Sequence, residues 1–210
     1  MILEETHSKY NGNIKVVWDL AWGKHIVVNN LTQSGGIVGK IWEEILKKLK
    51  NSKLPKLQTV LILGLGGGSA AKIVYKKWPE AKIIGVDIDE RMVDLGIKYL
   101  GLDKVGAEIV IEDACGFTTN PTSLKLRGAR YDLILVDLYN GDKFPEKFEK
   151  EEFLNKIKNM LSKKGIAVFN RLYGGDNRPL SMKFGRKLEK IFKMVDYVYP
   201  IANVMFVCYN

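Results

Sequence analysis

The chain has 210 residues, of which 46% are hydrophobic and 27% are charged. This composition excludes an intrinsically disordered chain and a collagen-like repeat, and the length indicates one domain with a small appendage. Two cysteines, Cys115 and Cys208, are too few for a disulfide framework and indicate a reducing compartment, so we expect a cytoplasmic protein. No apolar run is long enough to span a membrane, and we expect no membrane association. The net charge of +9 leaves a nucleic acid open as a partner.

Residues 1–50 form the first predicted unit. Residues 14–20 and 25–29 are rich in β-branched side chains and flank a glycine-containing turn, which predicts a β-hairpin. Apolar residues at helical spacing from Val38 to Leu49 predict a helix that ends around Asn51-Ser52-Lys53 and Pro55. We therefore divide the chain into a short N-terminal β-hairpin and helix extension (1–50) and a main domain (51–210).

The main domain alternates strands and helices. Strands are predicted at 60–63, 82–86, 108–112, 132–136 and 166–170, and helices at 69–78, 90–99 and 149–161. This alternation predicts an α/β fold with a doubly wound parallel sheet. An amphipathic helix after Pro179 buries Leu180 and Phe184, and two strands at 196–201 and 203–209, joined by about two residues, predict a C-terminal antiparallel hairpin.

A glycine-rich loop follows the first strand of the main domain. Its glycines are Gly64, Gly66, Gly67 and Gly68. Glycines there permit a tight turn and a close approach of a ligand to the backbone, and the next helix offers free N–H groups to an anion. A tight turn without a ligand is the alternative. Ser69 stands where the dinucleotide fingerprint has a third glycine or alanine, which disfavours a nicotinamide or flavin cofactor.

Three aspartates, Asp87, Asp113 and Asp137, each end a predicted strand. The carboxyl ends of parallel strands meet at the edge where open α/β sheets bind ligands. Asp87 can accept the hydroxyls of a ribose, and Asp113 can accept the exocyclic amine of an adenine. Each acid by itself is as well explained by capping its own loop, but three acids beside a glycine loop favour a nucleoside site.

These motifs resemble the spermidine synthase (polyamine aminopropyltransferase) group within the class I S-adenosylmethionine-dependent methyltransferase superfamily. The resemblance rests on the segments 62–68, 86–93 and 131–137 and on the pair Asp113-Ala114, and it covers roughly residues 10 to 170. It implies a Rossmann-like sheet of the class I methyltransferase type. It also implies S-adenosylmethionine or its decarboxylated form as the cofactor.

The resemblance also implies the roles of individual residues. The cofactor-binding residues are Gln33, Gly64, Gly66, Gly67, Gly68, Asp87, Ile88, Asp113 and Ala114, with Gln33 as the gate glutamine. Asp137 matches the catalytic aspartate, and Tyr139 and Asn140 line the same pocket. A carboxylate at Asp137 can take the proton of an amine acceptor and hold its nitrogen in line for attack. The alternative is a role for Asp137 in ordering its loop.

The chain departs from this family on the acceptor side. The glycine loop lacks an aspartate at Gly68-Ser69, and the catalytic loop ends on Asn140 where the family has a second aspartate. Val38-Gly39 and Trp42-Glu43 stand in the places of an acidic pair and of a tyrosine followed by histidine or glutamine. A polyamine needs carboxylates for its ammonium groups. The acids that remain to hold one are Asp137, Glu43, Glu44 and Asp142.

Three functions therefore stay open at this stage. The first is aminopropyl transfer to a small-molecule amine, and the second is methyl transfer to a small molecule, a protein or RNA. The third is a nucleoside-binding protein without catalysis. His7 and His25, the two histidines, lack metal-ligand spacing, so we expect no metal. The lysines are interleaved with glutamates on helices, which favours solvated faces over a nucleic-acid surface, and the N-terminal hairpin offers a sheet edge for a homodimer.

Overall fold

A computed structural model describes residues 1–52, 54, 56–121 and 126–210; Lys53 and Pro55, the predicted helix terminators, lie outside the described residues. The N-terminal part is a four-stranded antiparallel sheet in the order β1-β2-β3-β4. Its strands are β1 (Ile2–Ser8), β2 (Gly12–Asp19), β3 (Gly23–Val28) and β4 (Leu31–Gly35). The predicted hairpin corresponds to β2 and β3. The outer strands were not expected, because β1 is largely exposed at the sheet edge and β4 carries one large apolar residue.

Helix α1 (Gly36–Ser52) follows the first sheet and packs on the second. Its buried side chains lie in one hydrophobic cluster with Val60 and Ile62 of the large sheet; they are Ile41, Trp42, Ile45, Leu46 and Leu49. The exposed face carries Glu43 and Glu44. The boundary between residues 50 and 51 stays a prediction.

The second sheet has seven strands in the order β10-β11-β9-β8-β5-β6-β7. The strands are β5 (Thr59–Leu63), β6 (Lys82–Asp87), β7 (Glu108–Ile111), β8 (Tyr131–Val136), β9 (Leu161–Leu172), β10 (Met194–Val198) and β11 (Asn203–Tyr209). The neighbouring strands β7, β6, β5, β8 and β9 pair in parallel, whereas β11 pairs antiparallel with both β9 and β10. The predicted doubly wound α/β fold with its C-terminal antiparallel hairpin is confirmed.

Helices cover both faces of this sheet. They are α2 (Ser69–Lys77), α3 (Glu90–Leu100), α4 (Ala114–Thr119), α5 (Glu151–Met160) and α6 (Asn177–Ile191), with short 3₁₀ helices at Leu102–Val105 and Glu146–Glu149. Alternate residues of β5 point to opposite cores: Val60 and Ile62 face one cluster, and Leu61 and Leu63 face the other. All four are fully buried, as a continuous apolar run predicts for a central parallel strand.

Two details of the C-terminal region differ from the prediction. The loop between β10 and β11 spans residues 199–202 rather than about two residues. Its extra length accommodates Pro200, which has no N–H for the ladder, and Ala202, whose φ is +58°. Leu180 lies in the first turn of α6 and is 57% exposed, so it does not belong to the apolar stripe that buries Phe184 and Leu188.

The small sheet is anchored to the large one at Asp89, the N-cap residue of α3. Asp89 is buried, and its Oδ2 accepts hydrogen bonds from Ser8 Oγ (2.5 Å) and Asn11 Nδ2 (2.6 Å). Its Oδ1 accepts the backbone N–H of Arg91 at 3.1 Å. One carboxylate therefore caps a helix and satisfies two donors from the N-terminal sheet.

We expect Asp89→Ala to lower the free energy of unfolding by about 2–3 kcal/mol, because it removes a helix cap and leaves one buried donor (Ser8) and one partly buried donor (Asn11) without their acceptor. Urea denaturation measures the effect. Asp94→Ala is the matched control: Asp94 lies on the exposed face of α3, 3.9 Å from Arg91, and its loss is expected to change stability by less than about 0.5 kcal/mol. Equal losses in both variants would contradict the anchoring role.

Candidate functional site

A cavity of about 570 Å³ opens at the carboxyl ends of β5, β6, β7 and β8, beneath β4 and the start of α1. Most of the residues singled out in the sequence line it. They are Gln33, Gly64, Gly66, Asp87, Ile88, Asp113, Ala114, Asp137, Tyr139 and Asn140. The fold thus brings the glycine loop, the three strand-end acids and the catalytic loop into one site.

Gly64 and Gly66 form the floor of the cavity, and both have positive φ, +86° and +53°. A Cβ at Gly64 would overlap the carbonyl oxygen of Asp137 and lie 2.7 Å from its carbonyl carbon. The N–H of Gly64 donates to Val86 O at 2.9 Å. The loop therefore passes directly against the chain that carries Asp137, which only a glycine permits at this position.

Gly67 and Gly68, which the resemblance also assigns to cofactor binding, pack behind the loop. The N–H of Gly67 donates to Ser34 Oγ at 2.8 Å, and a Cβ there would lie 2.7 Å from Ile26 Cδ1. Gly68 has a φ of +85° and packs against Leu102, so that a Cβ at this position would lie 2.5 Å from Leu102 Cδ1. Gly67 thus allows the small sheet to pack closely on the loop, and Gly68 allows the same for the 3₁₀ helix Leu102–Val105. Among the described residues, these two glycines are absent from the cavity wall.

Asp87 is held by the backbone of the loops around it. Its Oδ2 accepts the N–H of Gly66 at 2.6 Å, and its Oδ1 accepts the N–H of Asp89 at 2.9 Å. Burial raises the pKa of Asp87 above its ordinary value, and these two backbone N–H groups oppose the shift. Each oxygen keeps a lone pair for a further donor, as a ribose hydroxyl would require.

Asp113 caps α4 and forms an ion pair. Its Oδ1 accepts the N–H of Cys115 at 2.9 Å, and its Oδ2 contacts Lys147 Nζ. Burial would raise the pKa of Asp113, but the hydrogen bonds from Lys147 and the Cys115 N–H outweigh it, so the pKa lies below its ordinary value. Lys147 therefore shares the carboxylate that an adenine amine would use.

Asp137 lies at the end of β8 and accepts hydrogen bonds from two neutral side chains. Trp42 Nε1 donates to Oδ2 at 2.9 Å, and Asn170 Nδ2 donates to Oδ1 at 2.8 Å. Asn203 Nδ2 in turn donates to Asn170 Oδ1 at 2.7 Å, which fixes the orientation of that amide. Burial raises the pKa of Asp137, and the two hydrogen bonds only oppose this shift. Since no ion pair to Asp137 is found among the described residues, its carboxylate is a stronger proton acceptor than a solvated aspartate.

The loop after Asp137 is held from several sides. The hydroxyl of Tyr139 accepts the N–H of Leu172 at 2.6 Å, and burial raises the pKa of Tyr139, so the phenol is protonated at neutral pH and can donate. Asn140 forms a backbone bridge with Lys143, with N···O distances of 2.9 and 3.1 Å. Gln33 Nε2 donates to Gly141 O at 3.1 Å and ties β4 to this loop.

Several side chains of the site were not assigned to it from the sequence. Trp42 was noted for its place in the family pattern and on the apolar face of its helix, Lys147 was counted among the solvated lysines, and Asn170, Asn203 and Ser34 were not considered. The available signal was a polar residue at the end of an apolar strand, as in Asn170 after Ala167-Val-Phe and Asn203 before Val204. Both asparagines are buried, and buried amides require partners.

The other acids suggested for an acceptor do not reach the cavity. Glu43, Glu44 and Asp142 are exposed, and among the described residues they are missing from the cavity lining. No group of three or more histidine, cysteine, aspartate or glutamate side chains in the described ranges is placed to hold a metal ion. Within the same part of the chain, no helix is long and apolar enough to cross a membrane.

The sequence of this chain matches a known protein family and several characterised proteins. A family model described as the spermine/spermidine synthase domain matches residues 39–204. The polyamine aminopropyltransferase of Pyrobaculum aerophilum is 32% identical over 170 residues, covering 77% of this chain and 57% of that protein. The eEF1A lysine and N-terminal methyltransferase of Bos taurus is 30% identical over 169 residues, covering 76% of this chain and 23% of that protein.

The fold is shared with solved structures of lower identity. The spermidine synthase of Thermotoga maritima superposes with a TM-score of 0.78 at 19% identity, covering 99% of this chain and 72% of that chain. The chain spans about half the length of the polyamine aminopropyltransferases that it matches in sequence. The matched segment 39–204 contains the glycine loop, the three strand-end aspartates and the loop after Asp137. By this match the chain belongs to the spermine/spermidine synthase family.

Proposed function

We propose that the protein is a transferase that binds S-adenosylmethionine or its decarboxylated form and transfers an aminopropyl group to an amine acceptor. The observation that carries the proposal is the Asp137 carboxylate, which lies on the cavity wall, accepts hydrogen bonds from Trp42 and Asn170, and has a raised pKa. The matches to polyamine aminopropyltransferases support the same reaction.

The cavity suits an S-adenosyl ligand in size and in its polar groups. A volume of about 570 Å³ lies in the usual range for small-molecule sites. Asp87 keeps lone pairs for ribose hydroxyls, and Asp113 and Ala114 lie at the end of β7 to meet the adenine. Gly64 and Gly66 let the ligand approach the backbone, Ile88 adds an apolar wall, and Gln33 lies over the opening to the catalytic loop.

The catalytic step needs a neutral nucleophile beside an activated carbon. When bound, the sulfonium supplies an electrophilic carbon and a thioether leaving group. Asp137 takes the proton of the acceptor nitrogen and holds that nitrogen in line. Trp42 and Asn170 keep the carboxylate in one orientation, and Tyr139 and Asn140 line the path of the acceptor.

Isothermal calorimetry with both donors, followed by an assay of the released product, tests the proposal. We expect saturable binding of an S-adenosyl sulfonium and amine-dependent release of methylthioadenosine from the decarboxylated donor. S-adenosylhomocysteine formation from S-adenosylmethionine would instead support methyl transfer. If neither donor binds, both functions are wrong.

Methyl transfer is the second candidate because the acceptor side of the cavity is poor in carboxylates, with Glu43, Glu44 and Asp142 all outside it. The similarity to the Bos taurus methyltransferase, at 30% identity, points the same way. Its acceptor would be a small molecule, a protein or RNA.

The remaining expectations are part of this proposal. Both cysteines are free, in keeping with the cytoplasm. The exposed Trp18, Leu20 and Trp22 at the tip of the β2–β3 hairpin offer apolar area for a homodimer, which sedimentation would detect. The reaction needs no metal and no nucleic acid; RNA binding, if found, would fall steeply with added salt.

A further inference from the structure

The part of the cavity around Asp137, here called the acceptor end, is lined by apolar side chains and carboxamides. The apolar residues come from α1 and are Ile37, Val38, Ile41 and Trp42. The carboxamides are Asn140 of the catalytic loop, Asn170 of β9 and Asn203 of β11. Asn140, Asn170 and Asn203 lie on the loop after β8, on β9 and on β11, which are on one side of β5 in the sheet. The hydrogen bond from Trp42 to Asp137 places α1 at the same end.

The carboxylates of the cavity are concentrated at its other end. Asp87 ends β6, and Glu112 and Asp113 follow β7, whereas Asp137 follows β8. The sheet order β8-β5-β6-β7 puts β6 two strands and β7 three strands from β8. At a spacing of about 4.8 Å per strand, these acids lie roughly 10 and 14 Å from the line of β8. Among the described residues, Asp137 is therefore the one carboxylate of the acceptor end.

Two cations near the loop after Asp137 occupy the carboxylates next to them, so neither carboxylate is available to a second ammonium. Lys147 lines the cavity and pairs with Asp113. Arg171 is buried beneath the loop, with its guanidinium 4.2 Å from the ring centroid of Phe144 and 2.7 Å from Glu149. A diamine bound with one nitrogen at Asp137 would place its second ammonium among apolar and amide groups. Such burial of an unpaired charge is costly.

We propose that the acceptor is a primary monoamine with an apolar chain next to its amino group, and that Val38 is a residue that determines this specificity. The inference rests on the proposed function. The apolar face of α1 packs along the chain of the acceptor, and the single reacting amine meets Asp137. Val38 excludes a second ammonium because it presents a hydrocarbon surface where a diamine would need a carboxylate.

Val38 lies where a carboxylate is readily introduced. It is in the first turn of α1, is partly exposed, and lines the cavity. That first turn has no acidic residue. An aspartate there interacts favourably with the N-terminal end of the helix dipole, so we expect Val38→Asp to fold.

The experiment compares two acceptors of equal length, n-pentylamine and putrescine. n-Pentylamine has a terminal methyl group where putrescine has its second ammonium. kcat/KM is measured with each, with donor binding followed by calorimetry. We expect the wild-type protein to prefer n-pentylamine by about tenfold or more. Val38→Asp should shift the ratio toward putrescine by about tenfold, because it supplies the missing carboxylate. Val38→Asn introduces a side chain of the same shape as aspartate but without its charge. It should keep the ratio of kcat/KM for the two amines within about twofold of the wild-type ratio.

The outcomes separate this inference from the proposed function. A wild-type preference for putrescine overturns the inference and leaves the proposed transferase intact. Donor binding without turnover of either amine also overturns it. Failure of both donors to bind removes the proposed function and the inference together. Equal shifts in Val38→Asp and Val38→Asn would remove Val38 as the residue that selects by charge.

Discussion

If Asp137 is the proposed general base, replacing it by Asn is expected to lower the rate of group transfer by about 10²–10⁴-fold, because an amide cannot take the proton of the acceptor nitrogen. Donor affinity should change little, since Asp87 and Asp113 lie at the far end of the cavity. Steady-state kinetics and calorimetry on the same preparation measure the two effects.

Asp142→Asn makes the same chemical change in the same loop, at an exposed side chain outside the cavity, and should retain wild-type turnover. Turnover retained in Asp137→Asn would assign this residue to ordering its loop instead. Rate loss accompanied by an equal loss of donor affinity would likewise argue against a proton-transfer role.

The pH dependence of the wild-type rate gives an independent test of whether Asp137 acts as the general base. A general base acts in its ionised form, and burial raises the pKa of Asp137 above that of a solvated aspartate. As the pH falls, activity should therefore be lost at a higher pH than an ordinary aspartate would give. The acid limb of kcat/KM should vanish in Asp137→Asn, where the residual rate has no such base to protonate. If the acid limb of kcat/KM is unchanged in Asp137→Asn, another group is responsible for it.

Replacing Gly64 by Ala is expected to lower the free energy of unfolding by more than about 4 kcal/mol. The new Cβ would overlap the backbone carbonyl of Asp137, which cannot move without displacing the Asp137 carboxylate. The φ of +86° adds strain for any residue with a side chain. Urea unfolding measures the loss, and donor binding should weaken with it.

Gly106→Ala is the control for backbone strain alone. Gly106 has a φ of +65° and nothing within 4 Å of a built Cβ. Its replacement should cost about 1–2 kcal/mol. The difference between the two variants isolates the clash with Asp137. If both variants lose the same stability, close passage of the glycine loop against β8 is not what requires glycine at position 64.

The amino-acid sequence by itself determined the succession of strands along the main domain and the edge of the sheet at which the three aspartates lie. Continuous apolar runs such as residues 60–63 predict central parallel strands, and the carboxyl ends of parallel strands must lie at one edge. Asp87, Asp113 and Asp137 were therefore correctly expected to share a cavity. Their proximity follows from topology, which local patterns reveal.

Local patterns were less informative in the N-terminal sheet. β1 lies at a sheet edge and contains mostly charged and polar residues with a few apolar ones, and β4 is largely polar. A strand with one exposed face and few large side chains has a weak periodic pattern. The pairing of β1 with β2 and of β4 with β3 supplies the stabilisation that the patterns do not reveal.

Only the tertiary structure decided which groups contact the Asp137 carboxylate. Trp42 and Asp137 are 95 residues apart in the chain, and Asn170 reaches Asp137 only because β9 pairs with β8. Gly67 and Gly68 turn away from the cavity because Ile26 and Leu102 pack against them. Hydrogen bonds and side-chain packing act over a few ångströms between segments distant in sequence. Residue spacing along the chain therefore located the acids. The three-dimensional packing determined their partners and, among the residues that the structure describes, left Asp137 without a second carboxylate beside it.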